Sequence, residues 1–162
     1  MSITVRPTAT AQSSETERFL AVMQPRITEA GTSIHDGETG PWMAMWSRTD
    51  PVTVFGAVKS GRDWAEIEPI FEALGRQFSN CVAYETEMVT AEARGDLAYT
   101  VAVEHTTASI NGAEPTTYHL RVTTIFRRED GEWKAVHRHG DALAADFGIG
   151  TGLFLPTGKA ND

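Results

Sequence analysis

The sequence predicts an α+β fold, with three N-terminal helices packed on a strongly curved, mainly antiparallel sheet. Three observations lead there. Apolar residues recur at helical spacing up to Phe78, long β-like segments run from Val82 onward, and Gly95-Asp96, Asn111-Gly112 and Asp130-Gly131 punctuate those segments. Asn-Gly and Asp-Gly tolerate positive φ and favour tight hairpins. Helices first and antiparallel strands after is the α+β order rather than alternating parallel units.

Ser14 to Glu17 has capping-box spacing and opens the first helix. Phe19, Met23, Ile27, Ala30 and Ile34 then form an apolar stripe. Pro25 inside that pattern marks a kink or the start of a second helix. Residues 36–40 read as a loop, and Pro41 suits the first turn of a short helix carrying Trp42, Met45 and Trp46. Pro51 to Phe55 reads as a short β-branched strand. Trp64, Ile67, Phe71, Leu74 and Phe78 step by three and four along a third helix, with Pro69 as a weak point. Four strands follow: Val82–Arg94, Leu97–Ile110, Thr116–Arg128 and Glu132–His139.

The chain has 162 residues and a formal net charge of -8. That length supports one domain, and the balance argues against a generic nucleic-acid surface or docking on anionic lipid. No apolar run approaches the roughly 18–20 residues of a membrane span. Residues 1–12 lack the apolar core of a secretory signal. A single cysteine, Cys81, suits a reducing cytoplasm and reads as buried and inert. The expected organisation is a disordered tail over 1–13, a domain over 14–142 and a Gly-rich tail over 143–162.

Three stretches carry a family resemblance. They are Asp50-Pro51-Val52-Thr53-Val54, Ser60-Gly61-Arg62-Asp63-Trp64-Ala65-Glu66-Ile67, and the ending from Phe126 to His139 with Trp133 and His137-Arg138-His139. Together with the element order they resemble the SnoaL-like, ketosteroid-isomerase-like group of the nuclear transport factor 2-like superfamily, over roughly residues 14–142. The resemblance implies a cone-shaped, cystatin-like α+β barrel with an apolar cleft. It also implies a homodimer through the other sheet face. The superfamily includes isomerases, dehydratases, cyclases and non-enzymatic association modules, so the fold alone names no reaction.

Period two sorts the strands into faces. Glu104 shares a face with Thr100, Ala102 and Thr106. His119, Arg121, Thr123 and Ile125 oppose Tyr118, Leu120, Val122, Thr124 and Phe126. Lys134, Val136 and Arg138 oppose Trp133, Ala135, His137 and His139. A bulge would invert whatever follows it. Likeness to a kinase association domain puts its pocket arginines near Glu104, Thr123 and Gly140, none of which is Arg here. The faces so marked gather Glu104, His119, Arg121 and Arg138 as the cleft group. Glu104 or His119 is the candidate catalytic acid or base. Arg121, Arg138 and Thr123 are candidate ligand contacts, and Trp42, Trp46 and Trp64 candidate apolar walls. A structural ion-pair network is the competing reading.

His137 and His139 can face one ion, but a catalytic metal site wants a third ligand, such as His105 or Asp141. No metal and no organic cofactor are expected. The stretch Val54-Phe55-Gly56 lacks the carboxylate base of ketosteroid isomerases, which puts steroid isomerisation in doubt. Two functions stay open: a small-molecule protein for an apolar organic ligand, performing cofactor-free isomerisation or dehydration, and a non-catalytic dimerisation or binding module.

Overall fold

A computed structural model describes residues 13–142. Of the tails expected over 1–13 and 143–162, residues 1–12 and 143–162 lie outside the described residues. Helix α1 spans Ser14–His35, α2 Gly40–Ala44 and α3 Trp64–Gln77. The strands are β1 Thr53–Phe55, β2 Ser60–Gly61, β3 Phe78–Arg94, β4 Leu97–Ile110, β5 Thr116–Glu129 and β6 Glu132–Ala142. They form one six-stranded sheet in the order β2-β1-β6-β5-β4-β3. The β1–β6 pair is parallel and the others are antiparallel. The α+β expectation holds, and the curved sheet does not close on itself.

The cap of α1 lies one residue earlier than the sequence pattern suggests. Ser13 accepts from the Thr16 amide at 3.3 Å. The Thr16 hydroxyl in turn accepts from the Ala93 amide at 3.1 Å, pinning the start of α1 to β3. The stripe Phe19, Met23, Ile27, Ala30 and Ile34 is buried throughout. Pro25 neither ends nor splits the helix, and it sits on the exposed side. Helix α3 is capped by Asp63, whose carboxylate accepts from the Glu66 amide at 2.9 Å. Phe78 leaves the helical stripe and opens β3, because its backbone pairs with Ile110.

The inward face of β4 carries small side chains at Ala98, Thr100, Ala102, Thr106 and Ala108, all buried. Small residues there let the helices lie close to the sheet. The core between the layers holds Phe19, Trp46, Phe71, Phe126 and Trp133. Phe19 meets Phe126 and Trp133 edge to face, with centroids 5.4 and 5.1 Å apart.

Strand β6 contains one irregularity with consequences for the site. Ala135 pairs with Phe126 and His137 with Ile125, so Val136 is an extra residue. The alternation inverts there. Trp133 and Ala135 face inward, and beyond the bulge so do Arg138 and Gly140. His137 and His139 turn to the outer face, against Phe55.

Candidate functional site

The pairing register decides which candidates meet. Glu104 stands opposite Leu120, and His105 opposite His119. Glu104 therefore points inward with Val122 and Thr124, while His119, Arg121 and Thr123 lie on the outer face. Of the four-residue group expected from the sequence, the fold brings together Glu104 and Arg138. The likeness to a kinase association domain puts the other two beside them, and alternation within each strand cannot correct this because it does not give the phase between neighbouring strands.

Glu104 and Arg138 form a two-pronged ion pair. Arg138 Nη1 and Nη2 donate to Glu104 Oε1 and Oε2, each at 2.7 Å. The side chains are only 4% and 13% exposed. Burial alone would raise the Glu104 pKa, but the Arg138 charge and its hydrogen bonds outweigh it and hold the carboxyl below its usual range. The Arg138 guanidinium is raised, since the same carboxylate overcomes its burial. It also lies 5.1 Å from the ring of Trp42.

Three further side chains surround this pair, and none stands out in the sequence. His35 closes α1, and its Nδ1 lies 2.6 Å from the Gly31 carbonyl. A carbonyl only accepts, so Nδ1 carries the proton. Burial lowers the His35 pKa, which keeps the ring neutral near pH 7, with Nε2 accepting from the Tyr118 hydroxyl. Burial likewise raises both Tyr118 and Tyr84, so both phenols stay protonated. Tyr84 reaches the interior because Gly31 has no side chain. A Cβ there would fall 2.1 Å from Tyr84 Cζ.

Next to the ion pair is a small cavity lined by Trp42, Trp46, Thr86, Met88, Ala102 and Arg138, among others. About 10 Å³ of it is open to the centre of a water-sized sphere, roughly room for one water. Four buried polar atoms have no hydrogen-bond partner among the described residues, Trp42 Nε1, Trp46 Nε1, Tyr84 Oη and Thr86 Oγ1, and Trp42, Trp46 and Thr86 line this cavity. The Tyr84 hydroxyl lies beside Thr86 and the Glu104 carboxylate without aligned geometry. Trp64 stands apart from this cavity; it is half-buried, with the Arg48 guanidinium 3.5 Å over its ring. Cys81 is half-buried, and burial raises its thiol pKa.

The outer face carries its own polar groups. His139 Nε2 lies 2.7 Å from Asp141, and His137 Nδ1 is 2.7 Å from the Thr53 hydroxyl. His105 and His119 meet each other. No described helix is long and apolar enough to cross a membrane.

A helix-backed, strongly curved sheet is the nuclear transport factor 2-like fold. Solved structures agree on the fold. A nuclear transport factor 2-like protein from Salmonella enterica matches with a TM-score of 0.63 and 12% identity, covering 90% of this chain and 96% of that one. A putative dehydratase of the same family from Streptomyces avermitilis gives 0.62 and 13%, covering 78% and 97%. The calmodulin-dependent kinase II association domain of C. elegans gives 0.56 and 17%, covering 77% and 93%. No curated protein matches. The model of the SnoaL-like domain matches residues 25–145, and the chain belongs to that family.

Proposed function

We propose that this SnoaL-like protein binds a small, neutral organic molecule in the interior beside Glu104 and Arg138, through an acceptor oxygen such as a ketone or enone carbonyl. The observation that carries this is the set of unpartnered buried groups. Indole N–H groups only donate, so what meets Trp42 and Trp46 must accept. Leaving them unmet costs about 1–3 kcal/mol each. Glu104 and Arg138 cancel in charge, so an ionised ligand would enter uncompensated, whereas a neutral one does not. Aromatic walls supply the apolar contact.

A ligand larger than water needs more room than the cavity has. Entry requires the segment carrying Trp42 and Trp46 to move outward, with Gly37 and Gly40 at its start. In this reading Trp42 and Trp46 contact the ligand, Arg138 orients it, and Glu104 holds Arg138. A carboxylate held low, with both oxygens engaged, is a poor general base near neutral pH. If the protein is a cofactor-free isomerase or dehydratase, the neutral His35 and the Tyr118 hydroxyl bonded to it are the candidates to move a proton, although they lie outside the lining of the small cavity itself.

The outer face favours a second feature, a homodimer. Leu97, Tyr99, Ile125 and Phe55 expose 58%, 37%, 38% and 48% of their surface on that face. A cytoplasmic setting fits the single thiol. Native mass spectrometry beside the denatured mass tests both features. A dimer with extra mass lost on denaturation is expected. Bare protein that also takes up no added enone or aromatic ketone would refute the binding role, and a monomer would refute the dimer.

A further inference from the structure

Among the described residues no cluster of three or more His, Cys, Asp or Glu is arranged to hold a metal ion. Room and charge for a second ligand lie instead in a groove of about 650 Å³, between the first half of α1 and the turns that join β3 to β4 and β5 to β6. That volume is in the range of small-molecule sites. The groove shares no lining residue with the interior cavity. Arg18, Val22 and Arg26 line it from α1. Their spacing of four puts all three on one face, and the helical rise sets the two arginines about 12 Å apart along the axis. Val22, between them, is 54% exposed. The floor is apolar, with Phe19, Ala93 and Trp133.

The charges lining the groove do not cancel. Glu15 accepts from the Gly95 amide at 3.3 Å, and Glu132 pairs with Lys134 at 3.4 Å. Arg128 is held by Asp96 at 3.1 Å, with its guanidinium 4.9 Å from the Trp133 ring. Arg18 and Arg26 are in no ion pair among the described residues. Arg26 is half-buried and already steadied, since its Nη1 donates to the Trp133 carbonyl at 3.4 Å. Its Nε and Nη2 donors remain for a ligand. We propose that the groove binds an aryl carboxylate, with the carboxylate across Nε and Nη2 of Arg26 and the ring against Val22 and Trp133. A carboxylate matches the guanidinium fork in two parallel bonds. Trp133 and the flanking guanidinium groups suit an aromatic body better than an alkyl chain. Arg18 adds a second positive charge along the groove, and Glu15 and Glu132 at its rim oppose a polyanion. The site is independent of the interior ligand.

The test is titration of the ¹⁵N-labelled full chain with 2-naphthoate at low salt, read at the Trp133 indole N–H. A saturable Trp133 shift is expected while Trp42 and Trp46 stay in place. Added salt should weaken the binding, because the attraction is between exposed charges. Arg26→Gln should weaken it by about tenfold, and Arg26→Lys by less, since it keeps the charge and loses the fork. Arg18→Gln should weaken it by about threefold. Arg62→Gln, a change to an exposed arginine outside the groove, should bind like the unaltered protein. Absence of any Trp133 shift overturns the proposal. So does unchanged affinity in Arg26→Gln, or equal affinity for the neutral methyl ester of 2-naphthoate, a readout that needs no variant. A hexaglutamate peptide that shifts Trp133 where 2-naphthoate does not would assign the groove to an acidic protein partner and overturn the small-molecule assignment.

Discussion

Replacing Arg138 by Leu removes one half of a buried ion pair and leaves the Glu104 carboxylate without its partner. Glu104 is 4% exposed and both of its oxygens are bonded at 2.7 Å. Breaking such a pair costs about 3–5 kcal/mol. At about 2–4 °C per kcal/mol for a domain of this size, the melting temperature should fall by roughly 6–20 °C. The loss depends on pH. In the native protein Glu104 sits below its unfolded pKa, so its contribution is present above that value and is lost as pH falls through the folded one. In Arg138→Leu the partner's charge is gone and burial drives the carboxyl upward, so the deficit shrinks as the medium becomes acidic. Glu104→Leu/Arg138→Leu should be less destabilised than the sum of the single changes. Urea unfolding of the four proteins near neutral pH and near pH 5 measures all of this. An Arg138→Leu loss below about 0.5 kcal/mol, or strict additivity in the double variant, would refute the reasoning.

Gly31→Ala improves helix propensity by about 1 kcal/mol but drives a methyl into Tyr84. A net loss of about 1–3 kcal/mol is expected, and Tyr84→Ala in the same chain should restore most of it; thermal melts decide. His35 has a folded pKa below its unfolded value of 6.5, so stability should decline as pH falls below about 6.5. His35→Gln should flatten that slope in denaturant midpoints between about pH 7.5 and 5.5, and an identical slope would contradict the burial argument. Asp63→Ala removes the α3 cap and should cost about 1 kcal/mol, read from the urea midpoint.

The helix stripes and hairpin turns were legible because each depends on a few neighbouring residues. Phe19 to Ile34 is buried as its spacing predicts, and Asn111-Gly112 and Asp130-Gly131 turn with positive φ. The site was less legible because it depends on phase between strands. Alternation places Glu104 and His119 each on a face of its own strand, but only the register with Leu120 and His105 shows those faces to be opposite. The extra residue Val136 then decides that Arg138 joins Glu104 while His137 and His139 turn outward. His35, Tyr84 and Tyr118 had only a faint sequence signal. A glycine within the buried stripe of α1 marks a close approach, and Gly31 is the residue that admits Tyr84.

The central claim is that the interior beside Trp42 and Trp46 is where a small molecule binds. Indole N–H resonances of ¹⁵N-labelled protein test it most directly, since the chain has four tryptophans: Trp42, Trp46, Trp64 and Trp133. Titration with a panel of cyclic enones and aromatic ketones should move the Trp42 and Trp46 signals together and leave Trp64 and Trp133 in place. A compound that binds while Trp42 and Trp46 stay fixed, or a panel that moves neither, would contradict the account.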